Sequence, residues 1–333
     1  MKTNLSVKTA VKTGPADIFD HIRDGFRFVA SRAAHVHICD EKLNEYALSL
    51  QPRPPANTLD EAHHYVTQDP EALAAYILIL EAVNFGSGFE EALVAEGWPR
   101  IDNSLYYTVS TALKNSFDAY GPWDTQVLKM ASVEDMHAVF KLPRARMGQA
   151  LASLFAASLN ELGQFIDQEF DGRFMGLIED SNGLAANLVS RLGQLSGFLD
   201  VHDYQGREVP IFKRAQITVA DLHLAFSRLG RPLFGDIDRL TIFADSGLPL
   251  VLRLDGILAL SPDLARQIET GAYIASGSAE EIELRCCAAE TVEKLAAIKN
   301  MRVMDLDHIL WHRSVEDPRY KASLAHRTLS RFY

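Results

Sequence analysis

Apolar residues recur every three to four positions along most of the chain, the spacing that lines them up on one stripe of an α-helix. In "QDPEALAAYILILEAVNFG" the run opens with Asp69 as N-cap and Pro70 at the first helical position, Glu71 suits the positive end of the helix, and Gly86 stops it. "ARMGQALASLFAASLNELGQFIDQEF" continues the same period, with small residues where a second helix could approach. "SAEEIELRCCAAETVEKLAAIK" begins with a capping-box pattern, Ser278 followed three places later by Glu281, and "IFKRAQITVADLHLAFSRLG" reads as a helix closed by Gly230. Strand signals are sparse: "HVHICD" alternates briefly, and "DYQGREVPIF" looks like a turn at Gln205-Gly206 with short extended arms. The three prolines of "LQPRPPANT" make it a loop, since each denies a backbone donor and disfavours helix before it. The pattern predicts a mainly α protein with a minor β element.

With 333 residues, 47% hydrophobic and 23% charged, the chain can bury a sizeable core, either as a single domain spanning 1–333 or as two helical lobes with a site between them. Its formal net charge of −11 weighs against a nucleic-acid partner bound through its phosphates, because duplex binding needs a concentrated field of Lys and Arg. A small-molecule substrate held by a few local cations remains open. Cys39, Cys286 and Cys287 match no disulfide framework or zinc-ligand spacing, which fits a reducing cytoplasm. The start, "MKTNLSVKTAVKTGPADIF", has lysines but no apolar h-region, and no later stretch offers about eighteen uncharged apolar residues, so neither secretion nor a membrane span is expected.

Asp245 stands in the otherwise apolar "LTIFADSGLPLVLR", residues 240–253, where a carboxylate must be hydrogen-bonded, paired or compensated. Its simplest role is to cap a helix or turn ahead of "SGLPLVL". Lys213 and Asp221, eight residues or a little over two turns apart, join Gln216 in offering a cation, an amide and an acid near one helix face. Structural ion pairs outnumber active sites in patterns of that kind. Glu283 and Arg285, two apart on a helix, point to different faces and read as separate contacts. His308 and His312 stand one turn apart and His63 and His64 are adjacent, but no HExxH or CxxC arrangement supplies further ligands, so no metal is expected. The chain also lacks a glycine-rich phosphate loop, a GxSxG elbow and a dinucleotide fingerprint.

Taken in order, "AVNFGSGF", "SLYYTVSTAL", "FKRAQITVADL", "FGDIDRLTIFADSGLP", "EIELRCCAAETVEKL", "LDHILW" and "HRTLSRFY" closely resemble the queuosine salvage family, the queuosine 5'-phosphate N-glycosylase/hydrolases. The resemblance covers most of the chain and is strongest from about Val209 to Glu293. It implies a helical fold similar to helix-hairpin-helix DNA glycosylases, with no metal or organic cofactor. The implied activity is hydrolysis of the N-glycosidic bond of queuosine 5'-monophosphate to queuine and ribose 5-phosphate, supplying queuine for tRNA modification. The family's "FAD" acid maps onto Asp245, with Phe243 beside it at the base, its "KRAQ" lysine onto Lys213, and an upstream histidine onto His64. Asn84, Phe85, Tyr107 and Asp307 fall within the matching segments. The chain departs from the family at His308 and His312, which stand in place of an aromatic residue and an acid.

Cleavage of a ribosyl C–N bond builds positive charge at C1' and negative charge on the base, giving an oxocarbenium-like transition state. Ionised Asp245 would stabilise that cation, electrostatically or by covalent attack, before water completes hydrolysis, and a low-dielectric setting strengthens the interaction. A 7-deazapurine lacks the N7 that purine-cleaving enzymes can protonate, so help must come elsewhere on the ring. Candidate donors are Asp221 if protonated, a histidine such as His64 or His312, or ordered water. Phe243, Phe85 and Tyr107 are candidates to stack on the base, although core packing is the commoner role of such aromatics. Lys213, Arg285 and Lys321, with a helix N-terminus, could hold the 5'-phosphate; Lys213 could instead pair with Asp245. Two rivals remain: a nucleic-acid glycosylase of similar fold, disfavoured by the acidic balance, and a non-catalytic nucleoside-binding or scaffold protein.

Overall fold

The computed structural model describes residues 17–51, 59–101 and 104–333. Most of the "LQPRPPANT" loop and of the lysine-bearing start lie outside those described residues. The described chain is mainly helical, as the periodicity predicts. The Pro70–Val83 helix is the clearest case of local coding: Asp69 accepts the Glu71 N–H, Pro70 occupies the first turn, and every residue from Ala72 to Val83 is buried. The Glu71 carboxylate acts at a distance, accepting the N–H groups of Phe174 and Met175 and so capping the Phe174–Asp180 helix. Among the described residues no single helix is long and apolar enough to cross a membrane.

That buried helix packs against Lys213–Arg228, Arg146–Phe170 and Phe174–Asp180. A second group forms around Ala279–Lys299, which meets Ile18–Ala30, Leu43–Ser49, Gly247–Leu254 and Val303–Glu316. Both groups contribute to one continuous apolar core. The Ser278 hydroxyl accepts the Glu281 N–H as expected, but Glu281 returns the favour to Gly277 N–H at 3.0 Å, so the capping box closes one residue early.

The minor β element consists, among the described residues, of two antiparallel pairs. Val201–Tyr204 and Arg207–Pro210 form the expected hairpin, with Tyr204 opposite Arg207 and positive φ at both Gln205 and Gly206, the geometry of a type I′ turn. Val36–Ile38 pairs with Leu258–Leu260, a partner more than two hundred residues away that its own sequence does not announce. The last residues thread past the turn after the buried helix: Gly86 N–H donates to Tyr333 O, and a Cβ on Gly88 would lie 2.0 Å from Thr328 O. That turn therefore needs glycine, and it carries Ser87 up to Ser246, beside Asp245.

Candidate active site

The segment 241–246 is an irregular strand of chain pinned by side chains from three helices. Gln216 accepts Thr241 N–H at 2.8 Å and donates to the Thr241 hydroxyl and to Ile211 O. Asp307 accepts Phe243 N–H at 3.3 Å, and the Arg285 Nε donates to Ala244 O at 2.9 Å. Asp245 then accepts the N–H groups of Gly247 at 2.8 Å and Leu248 at 3.3 Å, at the start of the Gly247–Leu254 helix. The capping role of Asp245 is thus real, and the positive end of that helix faces its carboxylate. Pro249 fits because it lies in the first turn, where its missing N–H costs nothing.

Asp307, from the Val303–Glu316 helix, is the second acid of the group. Burial and the neighbouring Asp245 charge push its carboxyl up from the ordinary 3.8 to about 8, so it carries a proton at neutral pH. Two carboxyl groups in contact with one loop therefore sit in different environments: one holds backbone N–H donors and the other holds a proton.

A third and a fourth acid come from the Pro70–Val83 and Lys213–Arg228 helices. Asp221 and Glu81 are both buried, and burial raises both carboxyls. Asn84 donates to Glu81 at 2.9 Å. Lys213 is buried at the head of its helix, and its charge opposes the rise at Glu81, Asp221 and Asp307 alike. Phe212, just before it, has left-handed backbone at φ 50°, a strained conformation for a bulky residue that aims the first turn of the Lys213–Arg228 helix inward.

His64 is buried, its Nδ1 3.1 Å from Asp60 O and its Nε2 2.9 Å from the Tyr106 hydroxyl. Burial lowers its pKa to about 4, so the ring is neutral, donating from Nδ1 to the carbonyl and accepting from Tyr106. Tyr106 in turn feels the charges of Asp221 and Glu81. Tyr107 stacks at a tilt on His63 at 4.5 Å and meets Trp311 edge-on at 6.4 Å. His308 and His312 lie ring to ring at 4.2 Å on the same helix, and His312 Nδ1 is 2.6 Å from Glu316. Phe243, next but one to Asp245 in the chain, is half-buried, and Trp311 lies one turn along the helix from Asp307. Among the described residues no group of His, Cys, Asp and Glu is arranged to hold a metal ion.

Several sequence candidates are placed elsewhere. Phe85 is buried edge-on against Phe155 and under the Arg214 guanidinium at 4.6 Å, a core position that leaves no face for a base. Glu283 accepts the N–H groups of His35 and Val36 and the Tyr204 hydroxyl, anchoring the Val36–Ile38 strand. Arg285 is fully buried, paired with Asp200 at 2.6 Å and Glu281 at 3.2 Å and lying over the Tyr333 ring, so it braces the Asp245 loop through Ala244 instead of meeting a phosphate. Lys321 is exposed on the short Pro318–Lys321 helix. A 280 Å³ cavity lined by Leu59, Tyr65, Tyr76 and Arg228, and a 360 Å³ one bounded by Ser158, Glu161 and Arg331, contain none of the four acids. Sequence reasoning missed Glu81, although an acid in "AAYILILEAV" carries the same signal as Asp245, and it missed Tyr106 and the pairing of Asp307 with Asp245.

A sequence model of the family described as queuosine salvage protein matches residues 63–333. The chain is 33% identical over 270 residues to the queuosine 5'-phosphate N-glycosylase/hydrolase of Sphaerobacter thermophilus, covering 79% of this chain and 82% of that one. It is 30% identical to the protein of the same name from Dictyostelium discoideum, over 94% of this chain and 98% of the other. The Mus musculus protein of that name is 25% identical, over 81% and 82% of the two chains.

Proposed function

The chain belongs to the queuosine salvage protein family, and from that membership together with the acid pair we propose how it works as a queuosine 5'-phosphate N-glycosylase/hydrolase. It cleaves the N-glycosidic bond, and the reading assigns the chemistry to Asp245 and Asp307. The observation that carries this assignment is the contrast between them: Asp245 is held by two backbone N–H groups, while Asp307 beside it is pushed up to about 8.

As the C1'–N bond lengthens, the Asp245 carboxylate stabilises the positive charge at C1'. The leaving 7-deazapurine takes the Asp307 proton on its ring, since it has no N7 to receive one. Water adds to C1', and its proton restores Asp307, so the products are queuine and ribose 5-phosphate with both acids returned to their starting states. Phe243 and Tyr107 supply the flat apolar surface for the base. Lys213, buried at the head of its helix, supplies charge for the phosphate side of the substrate.

The test is release of free queuine from queuosine 5'-monophosphate, followed by chromatography with mass detection, for the wild type and for Asp245→Asn. The amide oxygen can still accept from Gly247 and Leu248, so the fold is kept. Release by the wild type with a drop of about a thousandfold or more in the variant is expected. Equal release by both would move the chemistry away from Asp245.

A further inference from the structure

The chain on either side of Asp245 is held from two directions, and both supports lead to one residue. On one side the Arg285 Nε donates to Ala244 O at 2.9 Å. The rest of that guanidinium is bonded within its own plane, to Asp200 at 2.6 and 3.0 Å and to Glu281 at 3.2 Å. Bonds in the plane leave the tilt of the group to whatever lies on its face, and there the Tyr333 ring sits, its centroid 4.5 Å from the guanidinium carbon. On the other side the Ser246 hydroxyl meets that of Ser87 at 3.4 Å. Ser87 follows Gly86, whose N–H donates to Tyr333 O at 3.0 Å.

Tyr333 is itself fixed. It is buried, its hydroxyl is 3.1 Å from His326 Nε2, and burial lowers that histidine to about 3, so the imidazole beside it is neutral. The segment leading to Tyr333 is tied along its length: Arg327 O accepts Ile274 N–H at 2.8 Å, and Arg331 O accepts from Arg214 at 2.7 Å. An aromatic face gives a cation a flat, electron-rich seat that an aliphatic side chain of similar volume does not.

We propose that Tyr333 is a positioning residue for Asp245: its ring seats the Arg285 guanidinium that holds Ala244, and its main-chain oxygen holds the turn that brings Ser87 to Ser246. One residue thus braces the chain both before and after the Asp245 carboxylate. The effect on rate rests on the glycosylase reading; the bracing itself does not. A displaced carboxylate still lets substrate bind but meets C1' less well, so loosening the brace lowers kcat and leaves KM nearly alone.

Three variants separate the parts. Tyr333→Phe keeps the flat ring and drops the bond to His326; Tyr333→Met fills much of the same space without an aromatic face; Ser87→Ala keeps the turn and removes its contact with Ser246. Hydrogen–deuterium exchange read by mass spectrometry follows peptides spanning 241–250, with the Arg146–Phe170 helix as internal control, and queuine release gives kcat and KM on the same proteins. In Tyr333→Met, exchange over 241–250 should quicken about tenfold while the control helix stays as in the wild type. Its kcat should fall about ten- to a hundredfold with KM within about threefold. Tyr333→Phe should unfold at lower urea yet stay within about threefold of the wild type in kcat and in loop exchange. Ser87→Ala, which spares the core whatever becomes of Tyr333→Met, should show a smaller rise in exchange over the same residues. Unmoved exchange over 241–250 in Tyr333→Met or in Ser87→Ala would overturn the proposal. So would a rise shared equally by the control helix, which marks general loss of stability, or a kcat in Tyr333→Phe as low as in Tyr333→Met, which puts the effect in the hydroxyl. If the loop loosens as expected but no protein, the wild type included, releases queuine, the bracing stands and the glycosylase reading fails.

Discussion

Asp307→Asn should make the protein more stable and nearly inactive, with both effects depending on pH in opposite ways. The folded state raises the Asp307 carboxyl from 3.8 to about 8 by burial and by the Asp245 charge. The unfolded chain ionises it near 3.8, so between those values the unfolded state binds fewer protons, and stability is lost as pH rises through that window. At pH 7 the cost is roughly three pH units at about 1.4 kcal/mol each, or up to about 4 kcal/mol. Asparagine has no charge to withhold and its oxygen can accept from Phe243 N–H, so the variant escapes that cost with the loop intact. Urea unfolding at a series of pH values should show a gain over wild type that grows from near zero at about pH 4 to a plateau near pH 8. Turnover should fall by about 10² to 10⁴, the usual worth of a positioned general acid, and the wild-type rate should itself decline above about pH 8. A gain that does not vary with pH, or a variant with normal turnover, would refute the assignment of a proton to Asp307.

Other substitutions separate core from site. Phe85→Ala should cost about 3–5 kcal/mol in unfolding experiments with little change in KM, whereas Tyr107→Ala should raise KM about tenfold through lost stacking at little cost in stability. Removing the Arg285 guanidinium in Arg285→Met strands buried Asp200 and Glu281, and a loss of about 3–5 kcal/mol in urea unfolding is expected; a loss below about 1 kcal/mol would show that those acids find other partners. Neutral His64, lowered to about 4 by burial, makes folding weaker as pH drops from the ordinary 6.5 towards 4, so His64→Gln should flatten the stability profile in that acid range.

Local signals in the sequence decided a good deal. Asp69 and Pro70 start their helix, Ser278 starts another, and Gln205-Gly206 turns the hairpin, because each outcome depends on backbone sterics and hydrogen bonds within a few residues. The oddity of Asp245 in an apolar run was also legible, since burying a carboxylate demands a reason wherever it occurs. Tertiary packing decided the rest. Glu81, Asp221, Asp245 and Asp307 come from four separate segments, and the 3.6-residue period that buries a helix face says nothing about which other helix meets it. The same indifference explains why Phe85 and Tyr107, both aromatics in matching segments, part ways: one faces Phe155 inside the core and the other faces Trp311. The partner of Val36–Ile38, the cap that Glu71 provides at Phe174, and the proton on Asp307 arise likewise from neighbours distant in sequence. Charge and hydrogen bonding act through space, so only the folded chain assigns them.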